Sequence, residues 1–194
     1  MTAWTVVAAL LMAATPACAH NVVPGIGGFS GGLLHPVLVP AHVLALTGLA
    51  LLIGQQSPRR RAWLFATLAF ALAAGIAVIV SAFAVTDADG AVLGVAAAAG
   101  IAVAVARPSS VLVSLPLIAV AGAAIELDSV PEEISMRATF LALIGTAIGV
   151  LLVVALLAEL TVRLRRDWQR VGVRIVGSWV AASAILVLAL RLAR

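Results

Sequence analysis

Six apolar stretches, residues 33–54, 62–85, 91–106, 111–127, 138–160 and 172–191, follow one another along the chain with only short polar breaks between them. A helix needs about 20 apolar residues to cross the ~30 Å hydrocarbon core of a bilayer, and in lipid the backbone must satisfy its own hydrogen bonds. The pattern therefore reads as an all-α, polytopic membrane bundle of about six transmembrane helices, with the lipid bilayer as its first partner. Composition agrees: 64% of the 194 residues are hydrophobic and 10% are charged, against about 25% charged in an average soluble domain. A disordered segment, a nucleic-acid module and a disulfide scaffold are excluded, since the sole cysteine is Cys18. The third stretch is the shortest, and its Ala/Gly-rich text from Ala96 to Gly100 predicts close packing on a neighbouring helix more than exposure to lipid.

Residues 1–19 read as a secretory signal. Trp4 to Ala14 form an apolar core, followed by Pro16 and the A-x-A ending Ala17-Cys18-Ala19. Cleavage there leaves one six-helix domain, residues 20–194, that begins at His20. An uncleaved helix is the alternative, but the apolar core is too short to span. A lipoprotein cleaved before Cys18 would want Leu three residues earlier, where Thr15 stands.

The arginines set the orientation, because basic residues are retained on the cytoplasmic side. With His20 outside, the first, third and fifth loops carry Arg59 to Arg61, Arg107, and Arg163, Arg165, Arg166 and Arg170, and all fall inside. The second and fourth loops hold Asp87, Asp89, Asp128, Glu132 and Glu133 with one base, Arg137, and fall outside. Signal and charge bias thus agree on a multi-pass protein of a bacterial inner membrane with a periplasmic mature N-terminus. Arg191 and Arg194 run against the bias, since an even helix count puts them outside. The short loops leave no room for a soluble catalytic domain. The chain has no Walker loop and no CxxC pair, so an enzyme is not expected and any chemistry lies within the bundle.

An ionisable side chain inside a span is a functional candidate by default. His35 and His42 lie in the first span, seven residues apart, so on a straight helix both imidazoles share a face about 10 Å apart along the axis. That is too far to hold one ion, and two successive sites along a path fit better. Pro36 and Pro40 interrupt the same turns and free carbonyls to line a cavity. Glu126, near the end of the fourth span, is expected at a depth similar to His35, with His42 nearer the midplane. Imidazole with a carboxylate suits nickel, cobalt, zinc or copper. His20 adds a third imidazole beside a free α-amine once the signal is removed. The metal candidates are therefore His35, His42, Glu126 and His20, with no catalytic residue and no tightly bound cofactor. Asp128, Glu132 and Glu133 read as an acidic outer rim or as an ordinary solvated loop. Glu159 and Arg174 read as snorkelling residues or a mutual pair. Trp63, Trp168 and Trp179 read as interface anchors. The first and fourth spans each carry a proline, Pro36 and Pro116, at the start of corresponding three-span halves, the arrangement of inverted repeats.

The stretch Gly28 to Gly48, GFSGGLLHPVLVPAHVLALTG, resembles the HupE/UreJ family of small nickel/cobalt permeases associated with hydrogenase and urease operons. His35, Pro36 and His42 fall on that family's HPxxxxDH motif, and Ala41 stands at its Asp. The family's second motif, a His-Gly-rich stretch ending in Glu, is matched at Ala121 to Glu126 by the Glu and not by the histidine. The resemblance implies a secondary permease for a divalent metal ion such as Ni2+ or Co2+. A non-transporting membrane scaffold or assembly partner, with a protein partner or further copies of itself, is the other reading. A bis-imidazole haem site, using His35 or His42 from two copies or both from one kinked helix, is a third. Cleavage of the signal predicts a mature protein whose first residue is His20, which the intact mass of the membrane-extracted protein would show; a mass retaining residues 1–19 would contradict it.

Overall fold

The computed structural model describes residues 27–81, 88–105, 110–130 and 135–193, and among them the only regular structure is α-helix. The signal segment, His20, Asp87, Arg107, Glu132, Glu133 and Arg194 lie outside the described residues. Seven helices follow in order: α1 (Gly28–Leu38), α2 (Pro40–Gly54), α3 (Pro58–Val80), α4 (Asp89–Val105), α5 (Val111–Leu127), α6 (Met136–Arg163) and α7 (Asp167–Leu192). Only α3, α6 and α7 are each long and apolar enough to cross a bilayer alone. α4 and α5 are apolar but hold 17 residues each, a rise of about 25 Å.

The first expected span is two helices, with α1 and α2 meeting at an angle of 74°. The two prolines account for the break. Pro40 has no amide to donate to the Pro36 carbonyl, and it pushes the residue before it out of the helical region. Val39 accordingly sits at φ −91°, ψ 115°, and Pro40 opens α2 as its first residue. Pro116, by contrast, lies within α5 without breaking it.

Pro36 leaves a second vacancy, since the Gly32 carbonyl one turn back would have received its missing amide proton. The hydroxyl of Thr146, on α6 and buried, donates to that carbonyl at 3.2 Å. The approach is possible because α1 and α6 meet at glycines: a Cβ added at Gly32 would run into the Ala142 carbonyl, and one at Gly145 into the Phe29 carbonyl.

The other seams are similar. α3 lies along α5 and α4 along α7, while α2 packs on α4 and α6. Ala96, Ala97, Ala99 and Gly100 of the third span are buried as its text predicts, with Ala98 exposed, and a Cβ on Gly100 would lie 2.6 Å from the Gly177 carbonyl. The outer surface is apolar too: Leu112 is 87% exposed, Phe70 77% and Leu156 70%. Surfaces of that kind belong in lipid.

The Arg191 guanidinium pairs with Asp89, and Arg174 Nε donates to the Ala104 carbonyl at 3.0 Å. α4 and α7 are therefore antiparallel, and the Arg191 end shares a face of the bundle with the acidic start of α4. An even number of crossings gives this arrangement, so Arg191 has a partner where the charge rule made it an exception. Glu159 and Arg174 do not pair. Glu159 instead accepts from Arg163 Nε at 3.1 Å, one turn along α6.

Thr146→Val, which keeps the shape and removes the donor, should cost about 1–3 kcal/mol by stranding the Gly32 carbonyl. Much of that loss should return with Pro36→Ala, which restores the backbone amide, as read from unfolding in detergent. Equal losses in both backgrounds would show that the hydroxyl does not serve this carbonyl.

Candidate functional site

His35 lies in the last turn of α1 and His42 in the first turn of α2. Because the chain bends between them, their ring centroids are 5.2 Å apart, edge to face at 73°. The expected separation of about 10 Å holds only for a straight helix, so the reading of two successive sites is corrected to one adjoining pair. Edge-to-face contact also leaves no room for a porphyrin plane between the two rings, which removes the single-chain haem reading.

His42 is fully buried, and its Nε2 lies 2.9 Å from Asp128 Oδ2. Asp128 caps the C-terminus of α5, with its side chain 11% exposed. It is thus neither part of an open acidic rim nor an ordinary loop charge. His42 also sits at the level of the α5 terminus, not deeper toward the midplane than the carboxylates of that helix end.

Glu126 is fully buried, two residues before Asp128. Two residues turn a helix by about 200°, so the two carboxylates leave α5 on different faces. Glu126 faces α3, where a Cβ on Gly75 would lie 2.7 Å from the Glu126 Cβ. Gly75 is the space that lets this side chain into the core. Neither carboxylate oxygen of Glu126 has a hydrogen-bond partner among the described residues.

The structure therefore joins His35, His42 and Asp128, leaves Glu126 on the α3 side, and does not describe His20. Among the described residues no group of three or more His, Cys, Asp or Glu side chains converges as a preformed metal cage. Asp128 is the residue that the sequence reading placed in the wrong role. A signal was available: the first span enters from the face toward which the fourth span leaves, so a polar residue ending α5 comes level with the break.

One cleft adjoins this arrangement and another lies at the opposite end of α5. The first, of about 410 Å³, lies at the bend and is apolar, lined by Val37, Leu38, Pro40, Val43 and Leu44. The other, of about 310 Å³, opens between the starts of α3 and α5, with Arg60 and Trp63 in its wall. Arg60 belongs to the Arg59 to Arg61 cluster, at the end of α3 remote from Gly75.

No curated protein and no solved structure matches the chain. The family model described as HupE / UreJ protein matches residues 8–187, nearly the whole sequence, a range within which the four candidate metal residues fall. With its apolar helical bundle, the chain is a multi-pass membrane protein that belongs to the HupE/UreJ family, whose members are generally associated with nickel or cobalt transport or with urease and hydrogenase maturation.

Proposed function

We propose that the protein is a secondary permease for a divalent transition-metal ion such as Ni2+ or Co2+, set in a bacterial inner membrane with its mature N-terminus in the periplasm. The observation that carries the reading is the juxtaposition of His35 and His42, 5.2 Å apart between ring centroids at the break in the first span. Two neutral imidazoles are suitable ligands for a borderline divalent ion, and helix breaks within membrane bundles line ion sites. The ion exchanges water for His35 and His42. Glu126, buried and without a hydrogen-bond partner among the described residues, is the next anionic group, and the mature His20 amine and ring assist capture outside. The Arg59 to Arg61 face discourages retention of a cation at exit. No phosphate-binding loop accompanies these residues, so the driving force is the ion gradient or the membrane potential, worth about 4.6 kcal/mol per 100 mV for a doubly charged ion. No enzymatic step and no tightly bound cofactor enter this reading.

One observation favours a second reading, a membrane assembly partner that does not transport. Among the described residues the ligands are not gathered into a cage. In that case His35 and His42 would tolerate Asn or Gln, and the protein would co-purify with a partner. The permease reading expects His35→Ala and His42→Ala each to abolish nickel- or cobalt-dependent uptake while the protein remains inserted at wild-type level. Uptake unchanged in both variants would overturn it.

A further inference from the structure

We infer that Asp128 is the positioning residue of His42: it holds the ring as the Nε2–H tautomer and so makes Nδ1 the atom that takes a divalent transition-metal ion. The inference rests on the permease reading for its ligand and on hydrogen-bond chemistry for the tautomer.

An ionised carboxylate accepts hydrogen bonds and donates none. At 2.9 Å, Asp128 Oδ2 and His42 Nε2 need a proton between them. The opposite neutral tautomer would set two lone pairs against each other at that distance. It would also bury an N–H at Nδ1, which has no hydrogen-bond partner among the described residues. A doubly protonated ring would leave the same buried donor unmet. Only the Nε2–H form satisfies the carboxylate and leaves an unprotonated nitrogen, and an unprotonated ring nitrogen is what binds a metal. His42 is fully buried, which shields this nitrogen from bulk solvent. A carboxylate on the far nitrogen of a ligating histidine fixes ring orientation and raises its basicity. Here that carboxylate comes from the opposite half of the chain, 86 residues away.

The sequence has only three histidines, which makes the test direct. The full-length protein, labelled with 15N-histidine in detergent, is measured metal-free by long-range 1H–15N correlation at neutral pH, with His20→Gln and His35→Gln assigning the signals. The expected result is a protonated Nε2 and a bare Nδ1 at His42. The same pattern should persist in Asp128→Asn, whose amide oxygen still accepts, and become mixed in Asp128→Ala. An Nδ1–H or doubly protonated His42 in the wild type overturns the inference and leaves the permease reading untouched.

Titration with cobalt(II) chloride then tests the ligand role. Asp128→Asn should bind within about threefold of wild type and Asp128→Ala roughly 10- to 100-fold more weakly. Equal binding by wild type and Asp128→Ala overturns the positioning role alone. No saturable cobalt binding by the wild type overturns the ligand role and the metal-permease reading together.

Discussion

Two prolines spaced by four residues withdraw consecutive rungs from the hydrogen-bond ladder of the first span, and the remaining architecture follows from how those carbonyls are treated. In a bilayer an unsatisfied carbonyl has no water to turn to. The chain resolves one vacancy by bending at Val39 and the other by bringing Thr146 to the Gly32 carbonyl at 3.2 Å. The second solution demands backbone contact between α1 and α6, and glycine is what permits it. The first solution turns the end of α1 toward the start of α2, which carries His35 onto His42. A single local defect thus dictates a helix interface and the geometry of the candidate site.

Much of this was legible before any coordinates. Apolar runs placed the helices, because hydrocarbon thickness and backbone satisfaction leave few choices. The Ala/Gly text of the third span announced its burial, since small side chains are of use chiefly where helices touch. The Pro-x-x-x-Pro spacing announced disruption without its size: an angle depends on what the two segments pack against. For the same reason the histidine separation was misjudged, because spacing along a helix axis has meaning only while the axis is straight. Asp128 was misassigned because proximity in sequence to Glu132 and Glu133 suggested a shared loop, whereas its fate was decided by α2, far away along the chain.

The carboxylate beside His42 also bears on the departures from the family motif. The resemblance expects an Asp immediately before this histidine, and Ala41 is there instead, buried and apolar. Asp128 supplies a carboxylate to the same imidazole from the end of α5. The carboxylate that meets this imidazole is thus supplied by another helix and not by the residue beside it in sequence. The second half of the chain also carries Glu126, on the α3 side of the same helix end, so the candidate residues come from the first span of each half.

The glycine-closed seams join α1 to α6, α2 to α6, α3 to α5 and α4 to α7, and apart from Gly48 against Ala99 each links a helix of the first three spans to one of the last three. The halves are interleaved, and the α2–α4 seam is the one extensive contact that closes within a half among the described residues. A membrane insertion machinery that releases spans in order would therefore set free three spans whose small-residue faces, the α2–α4 seam apart, have nothing to close on until their counterparts emerge. α7 must arrive before the remaining face of α4 is covered and before Arg191 can reach Asp89. A truncation near the C-terminus thus costs more than the residues it removes, because it leaves the middle of the chain without its lining.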